Sequence, residues 1–220
     1  MPRNLNSQSA LRAQLEKGID ELGIECSPHQ IEQLLDYVSL LNTWNSAYNL
    51  TAIREPEQMI TLHILDSLAI LPLVSGESLI DVGTGPGLPG IPLAIMCPHK
   101  TFKLLDSNGK KTRFLFHARC QLKLQNLTEI QSRVEQFKPE QSYDTVLSRA
   151  FTSLAEMVDK CKHLLHPDGR FLAMKGKFPQ SELSLLEKGY KVDVSHRLRV
   201  PGVEGERHLI EISKVQLAQK

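Results

Sequence analysis

The chain has 220 residues, of which 41% are hydrophobic, enough for one sizeable core with an extension and too little for two domains of average size. Its 26 basic and 25 acidic residues leave a net charge of +1, so contact with nucleic acid is expected from local patches and not from a global field. Cys26, Cys97, Cys120 and Cys161 form no C-x-x-C pair, which argues against a disulfide framework or a thiolate zinc site; reduced thiols in a cytosolic protein, and no metal, are expected.

The amino terminus, MPRNLNSQSALRAQ, carries no apolar signal region, and the longest stretch without a polar side chain, Gly85 to Pro98, falls short of the ~20 residues a membrane span needs. A soluble, unexported protein that does not touch membranes is expected. From Ser9 to about Asn45, apolar residues recur at helical spacing: Leu11, Leu15, Ile19 and Leu22, then Ile31, Leu34, Leu35, Val38 and Leu41. Gly23 separates the two helices, and Ser27 before Pro28 is a start signal for the second. A third helical pattern, Met59, Leu62, His63, Asp66, Leu68 and Ala69, leads to Pro72. Its polar pair, His63 and Asp66, reads as helix-anchoring contacts.

After Gly76 the texture changes to seven short strand-like runs: SLIDVG, TFKLLD, LTEIQS, YDTVLSRA, RFLAMKG, YKVDVSHRL and RHLIEISKV. Helix-like segments mostly separate the first six, as parallel crossovers require, whereas only RVPGVEGE separates the last two, which suits a hairpin. This predicts an α/β fold with a seven-stranded, mostly parallel sheet ending in an antiparallel hairpin. It is the Rossmann-like layout of class I S-adenosylmethionine (SAM) methyltransferases. Residues 1–75 are expected to form a helical extension and residues 76–220 the methyltransferase domain.

In the stretch from Ser78 to Met96, Gly83, Gly85 and Gly87 follow an apolar strand and allow a sharp turn that brings a ligand against bare amides. Gly85 to Gly90 spell G-x-G-x-x-G, which also suits a nicotinamide dinucleotide. Asp81 argues the other way, because it would oppose a pyrophosphate and attract the ammonium and sulfonium of SAM. Asp106, at the end of the second strand, suits the ribose hydroxyls of either cofactor. Val134 and Glu135 fall just past the third strand, where they are expected to line an adenine; a solvated acid at a helix start is the other reading of Glu135.

The fourth strand ends in Ser148, Arg149, Ala150 and Phe151, with neither the Asn-Pro-Pro-Tyr motif of amino-group methyltransferases nor a cysteine nucleophile. Without a base or thiol, no catalytic residue is assigned. The gap suits guanine N7, which offers a lone pair and has no proton to lose. Arg149 and Lys175, at strand ends, are candidates for guanine's acceptor edge or for phosphate, with Lys177 beside them; a structural ion pair from Arg149 to Glu135 or Asp106 is the alternative. Lys110, Lys111, Arg113, Arg197, Arg199 and Arg207 form either a phosphate-tracking rim or an ordinary solvated face. A small-molecule SAM enzyme is disfavoured by the 5% aromatic content, and a SAM-binding module without catalysis by the intact Asp81, glycine-turn and Asp106 set.

The blocks WNSAYNLTAI, HILDSL, DVGTGPGLPGIPLAI, LLDSNGKKTRFL, QSRVEQF, SRAF and MKGK, between about Leu34 and Lys177, resemble the RsmG (GidB) family of small-subunit ribosomal RNA methyltransferases. The resemblance implies methyl transfer from SAM to N7 of the guanine at position 527, in the 530 loop of 16S rRNA. It implies cofactor contacts at Gly83, Leu88, Val134, Glu135 and Arg149, and 16S rRNA or the assembling small subunit as partner. The enzyme is expected to act as a cytoplasmic monomer.

Overall fold

A computed structural model gives the fold and describes residues 5–149, 151 and 153–215. Two helices open the chain, α1 (Leu5–Glu21) and α2 (Pro28–Tyr48). The second starts where the sequence signals it: Ser27 and Gln30 form a reciprocal capping box and Pro28 occupies the first turn. Gly23, at a φ of 66°, makes the left-handed turn between them. The third helical pattern is interrupted: α3 (Pro56–Met59) runs into a π-helical turn, Ile60–Leu65, and then a short α4 (Asp66–Leu68).

Seven strands follow: β1 (Ser78–Val82), β2 (Thr101–Asp106), β3 (Leu127–Gln131), β4 (Tyr143–Ser148), β5 (Leu165–Lys175), β6 (Tyr190–Leu198) and β7 (Arg207–Lys214). They form one sheet in the order β3-β2-β1-β4-β5-β7-β6. The first five are parallel, and β7 inserts antiparallel between β5 and β6. The expected layout is therefore present, but its crossovers are less helical than expected. Helices α5 (Gly90–Met96), α6 (Gly109–Gln121) and α7 (Leu154–Cys161) connect β1 to β2, β2 to β3 and β4 to β5. Between β3 and β4 there is only a 3-10 turn, Val134–Gln136, because that segment offers few apolar residues and Pro139 stops a helix. A second 3-10 turn, Leu183–Leu185, lies between β5 and β6.

The period-two alternation of the strands divides the core. Leu79, Leu104, Leu147, Leu172 and Leu209 belong to a cluster completed by α1, α2, α5 and α6. Their neighbours Ile80, Leu105, Val146, Phe171 and Ile210 pack with α7 on the other face. Each such fully buried side chain is worth about 1.5–3 kcal/mol relative to exposure. The helices that precede β1 share a core with the sheet. Strand β6 ends the sheet with Lys191, Asp193 and Arg197 exposed, charges that discourage edge pairing.

Candidate functional site

Two cavities open near the carboxyl ends of the strands, the edge where open parallel sheets bind ligands. The first, of about 410 Å³, is lined by Gly83, Asp106, Lys111, Val134, Glu135 and Phe151, among others. Its floor is the glycine turn, hooked onto β2 where the amides of Gly83 and Thr84 donate to the Leu105 carbonyl at 2.8 and 3.2 Å. Gly83, Gly85 and Gly87 all have positive φ, of 69°, 63° and 100°. At Gly87 the space is closed as well, since a Cβ there would stand 2.5 Å from Ile91 Cδ1.

Two carboxylates hold this turn. Asp106 accepts from the Gly85 amide at 2.9 Å and the Asn108 amide at 2.8 Å, one oxygen each, with the Lys111 ammonium 3.7 Å away. Each oxygen keeps a further lone pair for a ligand. Asp81 accepts at Oδ2 from Thr84 Oγ1 at 2.6 Å and from the Gly90 amide at 2.9 Å, while its buried Oδ1 has no partner among the described residues. Burial raises its pKa to about 7, against the pull of Thr84, Gly90 and Arg149. An unpartnered, buried, readily charged oxygen fits a ligand that brings a cation, and Asp106 fits one that brings hydroxyls.

The second cavity, of about 360 Å³, is assembled from distant parts of the chain: Ile53, Leu62, His63 and Asp66, then Arg149, Met174 to Gly176, Leu198, Arg207 and His208. Asp66 is its keystone. One oxygen takes Arg207 Nε at 2.8 Å and the other takes Arg149 Nη1 at 3.2 Å, with the carboxylate side chain only 6% exposed. His63 is neutral: burial, then the charge of Arg149, lowers its pKa to about 4. Its ring is fully engaged, Nδ1 donating to the Leu62 carbonyl at 3.0 Å and Nε2 accepting from Thr51 Oγ1 at 2.9 Å.

The candidates from the sequence divide between the two cavities. Gly83, Asp106, Val134 and Glu135 line the first; Asp81, Gly85, Gly87 and Leu88 are buried around its turn. Glu135 is 51% exposed and stands 3.6 Å from the Lys160 ammonium. Arg149 and Lys175 line the second cavity. Arg149 does form an ion pair, but with Asp66 and not with Glu135 or Asp106. The Lys175 side chain is 12% exposed and pairs with Glu182 at 3.0 Å, whereas Lys177 is exposed at the surface. Of the wider basic set, Lys110, Arg113, Arg197 and Arg199 are exposed as well.

Three contributors carried no signal in the sequence. Tyr37, fully buried in α2, donates its hydroxyl to the Pro86 carbonyl at 2.9 Å and so braces the glycine turn from the amino-terminal helices. Thr84 fixes Asp81, and Thr51 fixes the His63 ring. Asp66, expected to anchor a helix, anchors two arginines instead, one 83 and the other 141 residues away along the chain.

A sequence profile of the GidB family, described as rRNA small subunit methyltransferase G, matches residues 30–210. The protein named ribosomal RNA small subunit methyltransferase G from Psychromonas ingrahamii is 52% identical over 206 residues, which cover 94% of this chain and all of that one. The protein of the same name from Salmonella arizonae is 51% identical, covering 90% and 96% of the two chains. Among solved structures, the glycopeptide N-methyltransferase MtfA complexed with S-adenosyl-L-homocysteine superposes with a TM-score of 0.60 at 10% identity, over 70% of this chain and 87% of that one. TYW2 of M. jannaschii in complex with AdoMet gives 0.53 at 15% identity, over 69% and 76%. At such identities the likeness establishes the fold, an α/β sheet of class I methyltransferase type.

Proposed function

The chain belongs to the GidB family of small-subunit rRNA methyltransferases, and from that premise we propose that it transfers a methyl group from SAM to N7 of guanosine 527 in the 530 loop of 16S rRNA. Residues 76–220 are the catalytic unit, residues 1–75 its support, and the enzyme works as a cytoplasmic monomer on 16S rRNA or the assembling subunit. When bound, SAM supplies an electrophilic methyl group, which the N7 lone pair takes as the carbon–sulfur bonding electrons return to sulfur.

The first cavity fits this cofactor. Asp81 Oδ1 takes the ammonium, Asp106 the ribose hydroxyls, and Gly83, Gly85 and Gly87 let the backbone approach. Val134 and Glu135 flank the adenine, Leu88 holds the turn from behind, and Arg149 adds positive charge between cofactor and substrate. Lys175 and Lys177 serve the substrate side, the latter on phosphate.

The observation that supports the choice of N7 is that Asp66 and His63, the carboxylate and the imidazole that the π-helical segment brings to the second cavity, are both engaged by other side chains or backbone. Asp66 is committed to two guanidiniums, and both nitrogens of His63 are engaged with a pKa of about 4. Such a site suits an acceptor that loses no proton, where catalysis rests on positioning and orientation. The test is transfer of labelled methyl from SAM to 16S rRNA, followed by borohydride and aniline cleavage. Breakage at the one guanosine is expected; label that resists cleavage, or breakage at many guanosines, contradicts the assignment.

A further inference from the structure

We propose that the second cavity is the receptor for the target guanine base, turned out of its RNA loop, and that Arg207, fixed by Asp66, reads the base's O6. The inference rests on the methyltransferase reading and deepens it by assigning the substrate pocket and a residue that sets base specificity.

Position comes first. Two residues close in the chain after β4 face different cavities, Arg149 lining the second and Phe151 the first. An enzyme that methylates a ring atom must bring the base out of its stack into such a pocket. At about 360 Å³ the cavity is in the range of small-ligand sites.

The lining suits a flat ring with an acceptor edge. Ile53, Leu62, Met174 and Leu198 give apolar walls. At the polar end, Asp66 holds Arg207 on one oxygen and Arg149 on the other, so the cavity presents two guanidiniums there. Arg207 also donates Nη1 to the Glu206 carbonyl at 2.8 Å, which leaves Nη2 without a partner among the described residues. Guanine carries O6 beside N7, where a guanidinium donates to it. Adenine carries an amino group there and would set donor against donor. His208, also lining the cavity, is 6% exposed with no hydrogen-bond partner for Nδ1, a buried polar atom that a bound base's edge can satisfy.

The test uses 16S rRNA carrying guanosine, inosine or 2-aminopurine riboside at the target position. All three keep N7, and only 2-aminopurine lacks O6. The wild-type enzyme should methylate guanosine and inosine within about tenfold of each other and 2-aminopurine about 10- to 100-fold more slowly. In Arg207→Ala, SAM affinity without RNA should stay within about twofold, while the guanosine rate falls until the gap to 2-aminopurine closes to about threefold or less. Should that variant fail to fold, Leu198→Trp fills the cavity and should suppress transfer to all three bases with SAM binding intact. Unchanged discrimination in Arg207→Ala, or normal transfer by Leu198→Trp, overturns the base pocket while leaving the methyltransferase assignment standing. Failure of the wild-type enzyme to methylate any rRNA guanosine overturns both.

Discussion

The two cavities differ in how the chain builds them. The floor of the first is local: β1, the glycine turn and the end of β2 lie within one crossover unit, and two carboxylates pin the turn through backbone amides, while residues past β3 and β4 close its sides. The second is drawn from six separate stretches, with the carboxylate of Asp66 tying three of them together. A ligand common to a whole fold can be met by one rigid turn. A specific substrate needs side chains brought from many places, and here they come from the π-helical turn and from strands that the fold adds at its far edge.

If the first cavity depends on backbone shape, its glycines should tolerate least. Gly87→Val should be the most damaging change, because a β-branched residue would sit at a φ of 100° with its Cβ 2.5 Å from Ile91 Cδ1. A loss of about 3 kcal/mol in denaturant unfolding is expected from left-handed strain together with overpacking. A loss below about 1 kcal/mol would mean that the turn yields more readily than its packing implies.

The next effect is electrostatic. Asp81→Asn should weaken SAM binding about 10- to 100-fold at pH 8, the worth of one hydrogen-bonded charge. Burial raises the pKa of Asp81 to about 7, so below that pH the free protein holds a proton that a bound cation must displace. SAM affinity should therefore rise with pH, by up to about tenfold per unit below pH 7, and level off above it. The folded state also binds this proton more tightly than the unfolded chain, so this group lowers stability as pH climbs from about 4 to 7. The asparagine variant should lose both dependences; calorimetry and unfolding at a series of pH values will read them.

The smallest effect should lie outside both cavities. Lys177→Ala removes an exposed ammonium, and the slope of log affinity for RNA against log salt should fall by roughly one unit, with SAM binding unaltered. Lys175→Ala should not behave this way, since its ammonium is held against Glu182 and the side chain is 12% exposed. Equal salt slopes for the two variants would erase that distinction.

The contrast between the cavities also explains what the sequence made legible. The strands, the final hairpin and the start of α2 were readable because periodicity, glycines and a capping serine before proline are local signals. So were Asp81, Gly83, Asp106 and Val134, which fall at or just past the carboxyl ends of the first three strands. The partners of Arg149 were not: Asp66 is 83 residues away, and nothing near either residue indicates the pairing. Tyr37 carries no local mark of its role, because its hydrogen bond to Pro86 exists only once α2 packs on the turn. The segment between β3 and β4 was expected to be more helical than its single 3-10 turn, since spacing alone does not reveal a crossover made by an extended loop.

The division of labour between the cavities is the central claim, and SAM binding in the absence of RNA tests it most directly, measured by calorimetry on Asp106→Ala and Arg207→Ala side by side. Asp106→Ala should bind SAM more weakly by about 1–3 kcal/mol, having lost the charged acceptor at the end of β2, and Arg207→Ala should bind it as the wild-type protein does. Weak binding by Arg207→Ala together with unchanged binding by Asp106→Ala would contradict the account, and would put the cofactor in the cavity assigned to the base.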